Sequence, residues 1–247
     1  INSSLFYHIW DRLTMVQEES CYNRKRLRQK ENIMKQYQAV IFDLDGTLLN
    51  TLTDLWQAVH YITEKYGYPE RSHREVRAAL GNGLEQLLRL SLPELTEPRF
   101  QALLGEFREY YVAHCNEATA PYPGILELLG ELKQRGLALA IVSNKAQPAV
   151  TALCQQYFSA YIQTAIGESR QVKRKPAPDT VLLALRQLGV QRQQAVYVGD
   201  SEVDSQTARN AGLDCFLVSW GFRDRQELEK LPRTRLVDRP EEIAKLV

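Results

Sequence analysis

Two aspartates one residue apart, Asp43 and Asp45, stand where the apolar run Val40-Ile41-Phe42 stops, and Gly46-Thr47 follows at once. A buried strand that ends in carboxylates delivers them to the C-terminal edge of a sheet, where open α/β sheets bind ligands. Taken alone, Asp-x-Asp also reads as a turn, since Asp and Gly both favour turns. Its meaning depends on what else reaches the same edge. Asp200 follows the run Ala195-Val196-Tyr197-Val198-Gly199, and Asp204 lies one helical turn later on the same face. Ser143 and Asn144 close the run Leu137 to Val142, and Lys175 sits in Lys173-Arg174-Lys175-Pro176, where the proline is expected to open a helix whose terminal amides face the site.

Four carboxylates brought together repel. At an effective dielectric of about 20, two like charges about 4 Å apart cost about 4 kcal/mol, so the cluster calls for cations. Mg2+ fits best, because it takes oxygen ligands, keeps several waters and is usually held by one or two carboxylates with a phosphate. Lys175 adds a fixed positive charge, while Ser143 and Asn144 offer a hydroxyl and an amide where a helix begins, an anion cradle. An aspartate beside such a cradle can attack phosphorus and divide one difficult displacement into two easier ones.

The elements needed to position these groups are legible. Short apolar runs at 137–142, around 161–166, at 195–198 and at 215–218 alternate with helical spacing at 125–135, 146–157, 176–188 and 202–211, the pattern of a parallel βαβ sheet. The fold class is therefore α/β, a Rossmann-like doubly wound parallel sheet. Between Leu52 and Ala118 the spacing is helical nearly throughout, cut by Gly67, Pro69, Gly81-Asn82-Gly83, Pro93 and Pro98 into about four helices. That stretch is far too long for one crossover and reads as an inserted α-helical cap domain (52–118) on a core formed by 37–51 and 119–247.

The four groups in this order, Asp43-Leu44-Asp45-Gly46-Thr47, Ser143, Lys175 and Gly199-Asp200-Ser201-Glu202-Val203-Asp204, resemble the motifs of the haloacid dehalogenase superfamily of phosphohydrolases over about residues 37–220. The resemblance implies that Asp43 is the nucleophile and Asp45 the general acid, with Thr47 orienting the pair. It also implies that Ser143 and Lys175 hold the phosphoryl oxygens, with Thr47 and Asn144 counted beside them as phosphate-binding residues, and that Mg2+ is bound by Asp43, Asp45 through its carbonyl, and Asp200, with Asp204 contributing behind them. An acid at Asp45 points to phosphate esters, because dehalogenating members lack one there. Within the superfamily the chain looks most like the phosphoglycolate phosphatases, through Asn50-Thr51-Leu52-Thr53-Asp54-Leu55, Leu80-Gly81-Asn82-Gly83, Pro121-Tyr122-Pro123-Gly124, Val142-Ser143-Asn144-Lys145 and Trp220-Gly221-Phe222. Asn50 stands where an Asp is often found.

The expected activity is thus a Mg2+-dependent phosphatase of small phosphate monoesters, with 2-phosphoglycolate as leading substrate. The rivals are a β-phosphoglucomutase-like sugar-phosphate mutase, a pyrophosphatase or nucleotidase of the same superfamily, and a catalytically silent sensor or scaffold. Gly81, Asn82 and Gly83 are candidate substrate contacts from the cap, or simply a turn between helices. Tyr110 and Tyr111 read as packing, and Trp220 as the rim of the site or as packing under the C-terminal segment.

The 247 residues carry a net charge of +1, which argues against a general nucleic-acid binder. No apolar run approaches the roughly 20 residues of a membrane span. The cysteines Cys21, Cys115, Cys154 and Cys215 have neither Cys-x-x-Cys nor zinc spacing, which suits reduced thiols and a cytoplasmic location for a monomer or homodimer. Residues 1–36, with the basic run Arg24 to Lys30, read as an N-terminal extension, disordered or non-native, and Met34 as the natural start.

Overall fold

The computed structural model describes residues 37–247, so the expectations for the N-terminal extension, including Cys21, the basic run and Met34, lie outside the described residues. The centre of the fold is β1 (Ala39–Phe42), four residues with no solvent exposure. It pairs in parallel with β4 (Ala138–Ala146) on one side and β6 (Ala195–Gly199) on the other. With β5 (Thr164–Glu168), β7 (Asp214–Val218) and β8 (Thr234–Val237) they form a parallel sheet of order β5-β4-β1-β6-β7-β8, the expected doubly wound α/β class. The strand order reverses at β1, so the C-terminal ends of β1, β4 and β6 open one crevice.

The alternation of side chains in β1 explains its uninterrupted apolar sequence. Val40 and Phe42 face α5 (Ile125–Gln134), α6 (Gln147–Leu153) and α10 (Pro240–Leu246) through Leu128, Leu129, Val150 and Ile243. Ala39 and Ile41 face α7 (Asp179–Leu188) and α8 (Glu202–Ala211) through Val181, Leu185, Ala208 and Ala211. A short helix, α9 (Arg225–Leu228), precedes β8. β8 was not expected: its exposed arginine and edge position weaken the apolar signal that marks the inner strands.

Four helices, α1 (Leu52–Tyr66), α2 (His73–Ala78), α3 (Gly83–Ser91) and α4 (Glu97–His114), fill the stretch between β1 and α5. They share a core of their own, built from Leu55, Val59, Ile62, Val76, Leu87, Leu88, Phe100, Leu103 and Phe107, and Phe222 from beyond β7 packs into it. A two-residue antiparallel ribbon, β2 (Leu49–Asn50) with β3 (Ala120–Pro121), closes the helical stretch at its base.

Two differences from expectation concern element starts. The proline at 176 does not open α7, which begins at Asp179; Lys175-Pro176 is a cis peptide in a turn. Pro178 explains this, because the residue before a proline is pushed out of the helical region and Ala177 cannot start a helix. The 146–157 helix is α helical only to Leu153 and finishes as a π turn, Cys154–Phe158.

Asp54, in the first turn of α1, ties this base together. Its buried carboxylate accepts hydrogen bonds from the Ala118 amide (2.8 Å), the Thr119 amide (3.0 Å) and the Thr119 hydroxyl (2.7 Å). Asp54→Ala would leave those donors buried without a partner. The expected loss of about 2–4 kcal/mol is checked by urea unfolding; an unchanged midpoint would remove Asp54 as the tie.

Candidate active site

The crevice at the ends of β1, β4 and β6 contains a cavity of about 70 Å³ lined by Asp43, Asp45, Ser143, Asn144, Lys145, Lys175 and Asp200 from the sheet side. Leu55, Leu80, Gly81, Gly83, Leu84 and Leu87 roof it from the helical side. A water needs about 10–15 Å³ of such space, so the cavity has room for roughly five.

Asp43, Asp200 and Asp204 are buried together, each with a carboxylate oxygen within 4.8 Å of the others. Asp204 is fully engaged. Its Oδ2 accepts from the amides of Asp200 (3.3 Å) and Ser201 (3.1 Å) and from the Ser201 hydroxyl (2.5 Å), while Oδ1 accepts from Lys175 Nζ (2.8 Å) and the Tyr197 hydroxyl (2.9 Å). Ser201 and Asp204 form a capping box at the N-terminus of α8, so the local sequence that starts the helix also fixes this carboxylate. Lys175 bridges Asp204 to Asp43, 2.7 Å away.

The electrostatics follow from burial. Asp43 is pushed well above the usual carboxylate range by desolvation, which the Lys175 charge opposes and Asp204 and Asp200 reinforce. Asp200 is raised to about 7 by desolvation and then by the Asp204 charge. Asp204 is held below the ordinary value although burial pushes it upward, because Lys175, Ser201 and Tyr197 all favour its ionised form. Lys175 stays protonated against the pull of burial through Asp204 and Asp43.

Backbone space is matched to Asp200. At Gly46, with φ +86°, an added Cβ would lie 2.4 Å from Asp200 Oδ2, and at Gly221 it would lie 2.3 Å from Asp200 Cβ. The Phe222 amide donates to Asp200 Oδ2 at 2.7 Å. These residues fit a divalent cation: hard oxygen donors clustered within 4.8 Å, of which Asp43 and Asp200 are pushed upward by burial and by the neighbouring carboxylates, beside glycines whose missing side chains leave room for Asp200.

Other sequence expectations fall out unevenly. The Asp45 side chain lines the same cavity but is not part of the trio, and it pairs with Lys145 Nζ at 3.0 Å. Thr47 is buried, its Oγ1 has no hydrogen-bond partner, and its carbonyl accepts from Trp220 Nε1 at 3.0 Å; it does not line the cavity. Ser143 lines the cavity and its Oγ accepts from the Lys145 amide at 3.1 Å. The Asn144 amide group donates to the carbonyls of Lys175 (3.1 Å) and Gly81 (3.3 Å), so its donors tie loops together and are not free for an anion. Gly81 and Gly83 line the cavity, whereas Asn82 does not.

Several residues near the site were not foreseen. The sequence gives Lys145 no role of its own beside Ser143-Asn144, and Tyr197 lies in a strand run whose apolar pattern its ring satisfies. Tyr111 was read as packing, yet its hydroxyl accepts from Lys145 Nζ. Arg223 lines the cavity and joins Glu202 (2.7 Å) to the Leu80 carbonyl (2.7 Å). Only a lysine immediately after Ser143-Asn144 carried a readable signal, a cation placed on a functional strand end.

Residues 40–218 match the model of the haloacid dehalogenase-like hydrolases, and the chain belongs to that family. It is a phosphomonoester hydrolase of the phosphoglycolate phosphatase-like kind. It is 34% identical over 199 residues to a phosphoglycolate phosphatase of Rhodobacter capsulatus, covering 78% of this chain and 89% of that one. It is 31% identical over 206 residues to phosphoglycolate phosphatase 1 of Pseudomonas aeruginosa, covering 81% and 75%. Among solved structures, one from Lactobacillus delbrueckii subsp. bulgaricus, provisionally assigned as a phosphoglycolate phosphatase, superposes with a TM-score of 0.81 at 36% identity over 85% of this chain and 98% of that one. CbbY of Rhodobacter sphaeroides, solved with phosphate bound, gives 0.68 at 27% identity over 84% and 96%. No helix among the described residues is long and apolar enough to cross a membrane.

The raised Asp200 makes a signed prediction. A carboxylate whose folded pKa stands near 7 against an ordinary 3.8 binds more protons folded than unfolded, so stability falls as pH rises from about 4 to 7. A cation that binds the ionised carboxylates reverses this. Thermal melting should therefore show a larger gain on adding Mg2+ to chelator-treated protein at pH 8 than at pH 5; an equal gain at both would contradict it.

Proposed function

We propose that this protein is a Mg2+-dependent phosphatase of small phosphate monoesters, with 2-phosphoglycolate as the substrate, working through an aspartyl-phosphate at Asp43. The observation that carries the reading is the arrangement at the end of β1: Asp43 lies against Lys175 and Asp200, while Asp45, two residues on, is paired with Lys145. The two carboxylates therefore have separate environments, as separate roles in attack and proton transfer require.

In the first displacement a carboxylate oxygen of Asp43 forms a bond to phosphorus as the bond to the leaving oxygen breaks. Asp45 gives its proton to that oxygen and releases the alcohol. In the second, Asp45 takes a proton from water, the water oxygen bonds to phosphorus, and the bond to Asp43 breaks to give inorganic phosphate. Lys175 and Ser143 are placed to hold phosphoryl oxygens. Asp43, Asp200 and the Asp45 carbonyl would hold Mg2+, with Asp204 anchoring Lys175 and the Asp200 loop behind them. When bound, the ion supplies positive charge that favours ionised Asp43 and neutralises the phosphoryl oxygens. Thr47 acts on the turn after β1, through the carbonyl that Trp220 binds.

The helices of 52–118 serve as a cap domain, and the core comprises 37–51 and 119–247. Gly81 and Gly83 carry the roof over the cavity, excluding water and any polymeric substrate. The same size limit supports a small phosphorylated metabolite and no nucleic-acid partner. A silent scaffold is disfavoured by the desolvation of so many ionisable groups in one place, a cost that binding and turnover would offset.

Phosphate release should be measured with Mg2+ on 2-phosphoglycolate, sugar phosphates, nucleotides and pyrophosphate. The expected result is highest kcat/KM on 2-phosphoglycolate and loss of turnover by at least about 10³-fold in Asp43→Asn. Turnover that survives Asp43→Asn would exclude the nucleophile, and transfer of phosphate between sugar positions in place of release would favour the mutase.

A further inference from the structure

The cavity holds a cation, Lys145, to which the two displacements assign no contact with substrate. Lys145 is buried, 8% exposed, with Nζ 3.0 Å from Asp45 Oδ1, hydrogen-bonded to the Tyr111 hydroxyl and 4.9 Å from the centroid of the Tyr111 ring. Tyr111 belongs to α4 and Lys145 to β4, so a helix of the roof and a strand of the sheet aim one ammonium group together.

The other cations lining the cavity are committed elsewhere. Lys175 lies between Asp43 and Asp204 on the phosphoryl side. Arg223 is neutralised by two contacts to Glu202, at 2.7 and 2.9 Å, and holds the Leu80 carbonyl. Lys145 alone among these three stands beside Asp45, the group that faces the leaving oxygen in the reading above. A leaving group with a carboxylate one carbon from that oxygen would bring its negative charge within reach of Nζ.

We propose that Lys145, aimed by Tyr111, selects substrates whose leaving group carries a carboxylate, by forming a charge-assisted hydrogen bond to it. The proposal rests on the phosphatase reading and names the determinant of its substrate class. An uncharged leaving group leaves Lys145 with only Asp45 and Tyr111 and gains nothing from it. A purely positioning role for Lys145, acting through Asp45, is the competing account, and it predicts equal effects on all substrates.

The test compares kcat/KM for 2-phosphoglycolate and for 2-hydroxyethyl phosphate, which replaces the carboxylate by an uncharged CH2OH. Wild type should prefer phosphoglycolate. In Lys145→Met that preference should shrink by roughly 10- to 100-fold, the range for one charge-assisted hydrogen bond, chiefly through KM for phosphoglycolate. Tyr111→Phe, which keeps the ring and removes only the hydroxyl, should shrink it in the same direction by a smaller factor, and it serves if Lys145→Met does not fold. Equal falls on both substrates, or an unchanged preference, would overturn the role of Lys145 while leaving the phosphatase reading intact. Wild-type enzyme that turns over neither ester, or that shows no preference for phosphoglycolate, would instead strike the reading itself and the inference with it.

Discussion

Buried negative charge is the constraint on which the rest depends. Asp43, Asp200 and Asp204 are packed within a few ångströms at one strand-end crevice, largely withdrawn from solvent, and Asp45 lines the same cavity. Each is stabilised separately: Asp204 by five hydrogen bonds, Asp43 by Lys175, Asp200 by the Phe222 amide, Asp45 by Lys145. Their unequal proton affinities follow from that division. Asp204 stays ionised as a permanent anchor, while Asp43 and Asp200 are left under-compensated and so receptive to a cation.

The fold is arranged to make this clustering possible. β1 is paired in register with β4 on one side and β6 on the other, and a slip would draw the Asp43 carboxylate into the apolar sheet, so β1 delivers Asp43 to a fixed height. β6 fixes Gly199, and the capping box at α8 turns the chain so that Asp204 points back beneath Lys175. The helices of 52–118 add the roof, joined to the sheet side by Phe222 in their core, by Arg223 on the Leu80 carbonyl and by Arg77, which pairs with Asp224 at 2.7 Å.

Much of this was legible in the sequence, for physical reasons that also mark where legibility ends. Inner strands and two-faced helices write periodic apolar patterns, so the sheet, the four inserted helices and the strand-end positions of Asp43, Ser143 and Asp200 could be read. β8 could not, because an edge strand needs no continuous apolar run. The start of α7 was misplaced because Pro176 and Pro178 compete for the same signal, and the nearer one to the helix decides. Side-chain partnership was the least readable. Asn144 looks like an anion donor until its amide is found on two carbonyls, and Tyr111 looks like packing until its hydroxyl is found on Lys145. These depend on contacts more than thirty residues apart in the chain, which no local pattern encodes.

The claim that Asp43 forms the bond to phosphorus is the centre of the account. It is tested most directly by quenching the enzyme in acid during turnover of 2-phosphoglycolate with Mg2+, reducing with borohydride, and sequencing peptides by mass spectrometry. An acyl phosphate on Asp43 is reduced to homoserine, so homoserine at position 43, absent when substrate is omitted, is the predicted result. Active enzyme that yields no homoserine at 43, or yields it at another aspartate, would contradict it.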